Sequence, residues 1–156
     1  MAATGILGCA VFTSLTAMTN IEAAADAAAD FTALTITTSI GFVESVGALG
    51  RAFQDVSFTS LNGRTYHLKG AYDDGSFEFT VAADFSDAGQ AALKGYADAA
   101  DQSNYPFKFT FVGADASYDA MYFAAKVLSC KLQMGDANTV HKATIMAAIN
   151  SPIFFA

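Results

Sequence analysis

The chain has 156 residues, enough for one domain around a single core and too few for two. Fifteen Asp and Glu against eight Lys and Arg leave a formal charge of -7, which excludes a protein that holds nucleic acid by neutralising phosphates. Only 15% of the residues are charged while 53% are apolar, a balance that suits a subunit covered by its neighbours.

Taken from the N-terminus, residues 1–40 form an arm and a first strand region. No Lys or Arg precedes Arg51, while Glu22, Asp26, Asp30 and Glu44 do. The run Ile6-Leu7-Gly8-Cys9 has the look of a lipoprotein cleavage box. It lacks both the basic start and the apolar run that a leader needs, so no leader is expected. Ile21 to Asp30 reads as a loop or a short helix, because its alanines favour helix while Glu22, Asp26 and Asp30 would stack along one side and repel. Thr35 to Val46 reads as strand, with Ile36, Ile40 and Phe42 on one parity, and Val56 and Phe58 mark a shorter strand after Phe53. Ser60 to Gly75 reads as a long connector with turn residues at both ends, of a length that usually serves function.

Ser76 to Val81 alternates cleanly, with Phe77, Phe79 and Val81 on one face and Ser76, Glu78 and Thr80 on the other. A helix follows over 87–100. Asp87 caps it, Gln90 is placed to reach back to the cap, and Leu93, Tyr96, Ala97 and Ala100 form its apolar stripe. Phe107, Phe109 and Phe111 repeat the alternating strand pattern with Lys108 and Thr110 facing away. Asp119 to Met134 and Asn138 to Ile149 then flank Gly135-Asp136-Ala137 as a long antiparallel hairpin. Both its arms are apolar on both faces, so each side needs cover and one side suits another subunit.

Chemistry is hard to find. His67 and His141, the latter expected mid-strand, lack a Ser, Cys or carboxylate in a catalytic spacing, so no enzyme is expected. Asp73-Asp74-Gly75 reads as a turn rather than a calcium loop, because Phe77 and Phe79 stand where further oxygen ligands would be needed. Asp84 and Asp87 are explained by the helix start. Gly41, Gly47 and Gly50 lack phosphate-cradle spacing, and Cys9 and Cys130 lack CxxC spacing. The cysteines read as small buried hydrophobes in a reducing cytoplasm, and no cofactor or metal is expected. No stretch of 18 or more apolar residues is free of frequent Thr, Ser or charge, so no membrane association is expected.

One pattern is specific. Phe53-Gln54-Asp55-Val56-Ser57-Phe58-Thr59-Ser60-Leu61, then Arg64, Lys69-Gly70, Asp73-Asp74-Gly75, Phe77-Glu78-Phe79 and Asp84-Phe85-Ser86-Asp87-Ala88-Gly89-Gln90 with Leu93 resembles the major tail tube proteins of long-tailed bacteriophages and of gene transfer agents. The resemblance runs from Val43 to Ile149, densest between Asp55 and Leu93, and the alanine-rich acidic stretch of the first 40 residues departs from it. It implies a mainly β fold, an antiparallel β-sandwich with one flanking α-helix. It also implies homo-hexameric rings stacked into a virion tail tube assembled in the host cytoplasm, with tail terminator and distal tail proteins at the ends and tape measure protein and DNA inside. The connector would reach the adjacent ring, which makes Leu61, Arg64, Tyr66, His67, Leu68, Lys69, Tyr72 and Asp73 inter-ring candidates. Glu44, Asp55 and Glu78 are candidates for an acidic lumen that repels DNA, or for a solvated outer face. Two other readings stand beside it. One is the tube of a contractile injection or type VI secretion machine. The other is a small adhesive or carbohydrate-binding β-sandwich, which should show exposed Trp or Tyr platforms or calcium ligands for its sugar, and the chain has no Trp.

Overall fold

In the computed structural model, residues 9–18, 31, 34–100, 102–111 and 120–155 are described. They form ten strands, β1 (Ala10–Thr13), β2 (Thr38–Ser39), β3 (Val43–Val46), β4 (Ala52–Thr59), β5 (Thr65–Asp73), β6 (Ser76–Ala82), β7 (Tyr105–Thr110), β8 (Ala120–Gln133), β9 (Lys142–Ile149) and β10 (Phe154–Phe155), with one helix, α1 (Ala88–Asp98). Every pairing is antiparallel. One sheet runs in the order β2-β1-β7-β8-β9-β6-β3 with β10 beside β8, and β4 and β5 form a sheet of their own.

Strand β8 joins two limbs of the large sheet. Its first half pairs with β7 from Ala120 to Ala125, and its second half pairs with β9 from Ala125 to Gln133. A bulge between Val127 and Ser129 adds Leu128 and sharpens the bend there. The limbs face each other: Phe77 on β6 meets Phe107 and Phe109 on β7 edge-on at 5.6 and 6.0 Å, although β8 and β9 separate those strands in the sheet. This is the sandwich that the resemblance implies, with the alternating phenylalanines inside it. Phe77, Phe79, Val81, Phe107, Phe109, Phe123, Ala143, Ile145, Ala147 and Ile149 fill it, each buried. Phe111, the last of the predicted row, lies past the end of β7 and is exposed.

The outer face of the first limb has its own cover. Phe31 and Ile36 pack with Ala124 on β8, and Phe31 sits 6.1 Å from Tyr122 and 5.9 Å from Phe154. The first half of the predicted two-faced hairpin is therefore covered on both sides by its own chain.

Helix α1 closes the core with Leu93, which is fully buried, and Tyr96 stacks on Tyr105 at 3.6 Å. Asp87 caps it as expected: its Oδ1 accepts from the Gln90 amide at 3.0 Å and from the Gly41 amide at 3.2 Å. Gln90 does not reach back to the cap. Its Oε1 accepts from the Asp84 amide, and its Nε2 donates to the carbonyls of Gly41 and Ala82, each at 2.9 Å. Buried Gln90 thereby pins the helix start to the ends of two neighbouring segments. Gly89 is there for closeness, since a Cβ would collide with the Ser39 carbonyl oxygen. The helix stops at Asp98, short of the predicted Ala100.

Four further expectations change. Ser60 to Gly75 is no loop: only Ser60 to Arg64 turns, and Thr65–Asp73 is a nine-residue strand. Its partner β4 spans eight residues, longer than the short strand expected. Phe42 does not share the buried parity of Ile36 and Ile40, because its backbone is left-handed (φ 56) and this resets the phase of the strand. His141 lies in the turn just before β9, not mid-strand. The stretch Ile21 to Asp30 and Asp119 fall outside the described residues.

Candidate assembly surfaces

The β4–β5 hairpin stands clear of the body. Every residue of β4 is exposed, as is every residue of β5 except half-buried Gly70. Its base is clamped by Arg51, whose Nε donates to Asp74 Oδ1 at 2.7 Å and whose Nη2 donates to Oδ2 at 3.3 Å, while the guanidinium lies 4.2 Å from the Tyr72 ring. Bonding to Asp74 pushes the Arg51 pKa further up. Asp73 Oδ1 accepts from the Gly75 amide at 2.8 Å, and Gly75 takes φ +80, the left-handed conformation that suits glycine at this corner. The two aspartates thus do the work of a turn, as the sequence suggests.

Cross-strand register sorts the hairpin into two faces. Val56 opposite Leu68 and Phe58 opposite Tyr66 form one face, with the Phe58 and Tyr66 rings stacked at 5.4 Å. Gly70 keeps this face open, since a Cβ would press on Val56. Leu61, fully exposed, stands at the turn. The other face carries Asp55, Ser57, Thr59, Thr65, His67 and Lys69, with His67 Nδ1 2.8 Å from Asp55 Oδ2. Near the base, Phe53 and Tyr72 join this face, because a bulge between Phe53 and Asp55 shifts the register, and Lys69 sits 4.9 Å over the Phe53 ring. Of the predicted inter-ring residues, Tyr66 and Leu68 share the apolar face, Leu61 and Arg64 lie at the turn with Arg64 over Tyr66 at 5.5 Å, His67 and Lys69 face the other way, and Tyr72 and Asp73 stand at the base.

A second exposed apolar group lies at the far end of the second limb. Leu132 and Met134 leave β8, Val140 precedes β9, and Phe42 stands before β3, all well exposed. Leu132 and Val140 belong to the arms that the sequence reads as apolar on both faces, whereas it sets Phe42 on the parity of Ile36 and Ile40, since a left-handed backbone has no signature in composition.

The open face of the second limb is polar. Glu78 and Thr80 on β6, Lys142, Thr144 and Met146 on β9, and Ser129 and Lys131 on β8 share it. Glu44 joins through its bond with Lys142 at 2.6 Å. Asp55 is not brought to this face and belongs to the hairpin.

Titration shifts are few. Burial pushes the Tyr96 hydroxyl up to about 12, and its oxygen donates to the Ser14 carbonyl at 2.8 Å. Burial also raises the Cys130 thiol, and Cys9 and Cys130 are both free and partly buried. Asp84 and Asp136 are held below the usual carboxylate range by hydrogen bonds, from Ser86 in one case and from Asn138 and Thr139 in the other. Among the described residues no cluster of His, Cys, Asp or Glu could hold a metal ion, and no helix is long and apolar enough to cross a membrane.

No protein-family model and no curated protein matches the sequence. Solved structures do match. The chain superposes on a protein in the tail of an empty gene transfer agent particle with C6 symmetry at a TM-score of 0.65 and 12% identity, covering 99% of each chain. It superposes on the sheath/tube terminator of an extracellular contractile injection system at 0.68 and 11%, covering 100% of this chain and 98% of that one. It superposes on the SPP1 tail tube at 0.62 and 12%, covering 94% and 76%. The chain has the tail tube fold. The fold expected from the resemblance, mainly β with one flanking helix, is the fold observed.

Proposed function

We propose that the chain is the tube subunit of a phage tail or of a gene transfer agent, in which six copies close into a ring and rings stack into a hollow tube. The observation that carries this reading is the projecting hairpin. A two-stranded ribbon with one apolar face gains little by standing in water, and its unpaired edges invite uncontrolled pairing unless a defined assembly covers them. A head-to-tail contact supplies that cover. The whole-chain likeness to a gene transfer agent tail supports the same conclusion, as does a surface poor in charge. Leu61, Tyr66 and Leu68 are the inter-ring contacts, with Arg64 beside them.

The lumen is lined by the open face of the second limb, with Glu44 and Glu78 on it. Lys131 and Lys142 share that face and Glu44 is paired with Lys142, so the lining is a nearly balanced polar surface rather than an acidic one. Balance serves conduction, because a duplex meets no basic ladder whose counterion release would hold it. Tail terminator and distal tail proteins would bind the tube's two ends, and tape measure protein and DNA would pass through it. Such a subunit works without catalysis, and its place is the virion tail. The likeness to contractile injection proteins favours a sheathed tube as the second reading.

Negative-stain microscopy of the purified protein at rising concentration tests the proposal, with rings or striated tubes as the expected outcome. A protein that stays a monomer at every concentration, with or without the tail's initiating proteins, refutes it.

A further inference from the structure

The register places the base of the hairpin and the second exposed apolar group at opposite ends of the same strands. Ser76 pairs with Ala148 beside the hairpin base, where the Ile149 amide donates to the Gly75 carbonyl at 2.9 Å. At the other end Ala82 pairs with Lys142, Gln133 pairs with Lys142 on its far side, and the Ala82 amide donates to the Phe42 carbonyl at 3.0 Å. The seven residues of β6 set the ends roughly 20 Å apart at ~3.3 Å per residue. Four side chains crown the far end: Phe42 is 66% exposed, Leu132 48%, Met134 74% and Val140 65%. Phe42 stands out, because a bulky residue with φ 56 strains its own backbone while 66% of its surface stays exposed. Strain kept at an exposed aromatic points to a contact outside the monomer.

We propose that Phe42, Leu132, Met134 and Val140 are the seat for the β4–β5 hairpin of the next copy along the tube, with Arg64 of that hairpin meeting Asp136 of the β8–β9 turn. This rests on the tube reading and names the partner surface that the reading leaves open. The two groups are different surfaces of one chain, so the contact repeats in one direction and builds a stack of any length instead of closing as a dimer. Area is adequate. Val56, Phe58, Leu61, Tyr66 and Leu68 together expose on the order of 500 Å², from residue areas of roughly 150–250 Å² at the printed exposures. That is over half of the ~800 Å² per partner of a standard interface. Charge agrees as well: among the described residues neither Arg64 nor Asp136 has an ion-pair partner, and Asp136 lies on the turn between Met134 and Val140. Bonds from Asn138 and Thr139 hold Asp136 ionised.

The test is a double variant, Leu61→Cys with Val140→Cys, in a Cys9→Ser, Cys130→Ser background. Both introduced thiols replace exposed side chains, Leu61 on the turn of the hairpin and Val140 at the end of the body away from the hairpin base. Oxidation should yield a ladder of covalent oligomers longer than dimers on a non-reducing gel, while each single-cysteine variant stops at dimer or below. In parallel, Phe42→Gly should keep or raise the melting temperature, because glycine accepts φ 56, yet raise the concentration needed for assembly by about tenfold. Striated tubes without a ladder would overturn this contact and leave the tube reading intact. Neither tubes nor ladder would overturn both. Phe42→Gly assembling at the wild-type concentration would also overturn the contact.

Discussion

Leu68→Asp separates assembly from folding. Leu68 lies on the hairpin's apolar face opposite Val56 and is 55% exposed in the isolated chain. Burying a whole leucine is worth about 1.5–3 kcal/mol, so covering the exposed half in a ring-to-ring contact contributes about 0.8–1.6 kcal/mol per copy. In the proposed ring, six copies in register would bring this to about 5–10 kcal/mol per stacking step, a change of at least about three orders of magnitude in the association constant. The introduced carboxylate adds a desolvation cost on top. Within the monomer the substitution removes only a cross-strand pair of about 0.2–1 kcal/mol on a ribbon outside the core. Sedimentation velocity and negative stain at matched concentrations read the assembly, and circular dichroism reads the melt. The expected result is isolated chains or rings without tubes, at a nearly unchanged melting temperature. Tubes of normal length would refute the assignment of this face. A melting temperature lower by more than about 5 °C would show that the hairpin supports the core.

Four further outcomes follow from the geometry. Phe77→Ala removes the ring that meets Phe107, Phe109 and Phe123 edge-on, and should cost about 3–5 kcal/mol in urea unfolding, a large share of a domain's stability. Gln90→Leu leaves the Asp84 amide and the Gly41 and Ala82 carbonyls without their partner and should cost about 2–4 kcal/mol in the same assay, with helix content lost first if the helix start is the weak point. In an ultraviolet titration one of the six tyrosines should ionise near pH 12, and Tyr96→Phe should abolish that step. Its pKa is raised on folding, so the stability it contributes is complete below pH 10 and is lost as pH rises toward 12. Glu78→Lys replaces a negative by a positive charge, shifting the proposed lining by two charge units per copy. Tubes should still form but now retain duplex DNA in a salt-sensitive way, measured by co-sedimentation, and unchanged DNA retention would place Glu78 away from the lumen.

How far the sequence could be read depended on whether a single periodicity ruled each segment. Phe77, Phe79 and Val81 alternate without interruption because β6 is flat, central and wet on one side only, so period two sufficed to find the strand and its buried face. In β5 the same rule fails. Tyr66 and Leu68 share a face, but the bulge near Gly70 carries Tyr72 to the other one, and with no burial on either side the apolar residues scatter like those of a loop. Phe42 defeats parity in another way, since one left-handed residue reverses the phase of everything before it. The helix start was legible in its residues and not in its bonds. Asp87 caps as expected, but Gln90 sits too deep to turn back, and three backbone groups nearby need it more than the cap does. The polar face of the second limb was legible only in part, because Glu44 and Lys142 are 98 residues apart and meet through a β3–β6–β9 order that no local pattern encodes.

The separation between hairpin and body has a consequence for how such a chain could stay soluble before it assembles. An apolar surface continuous with the core would collapse onto its equivalent in any encounter, whereas here the larger exposed apolar face sits on a ribbon of its own and the body exposes only the small group of Phe42, Leu132, Met134 and Val140. A two-stranded ribbon alone is marginal in water, so its apolar face is presented only as well as the Arg51–Asp74 clamp and the stacked Phe58–Tyr66 row hold it. Docking must then order whatever the clamp leaves loose, which weakens a single contact and penalises chance pairs. In the proposed six-membered ring, hairpins held in register would share that ordering and engage together, so the same weak contact would become decisive only after the ring has closed. On the proposed function, weakness in each hairpin would make ring closure precede stacking.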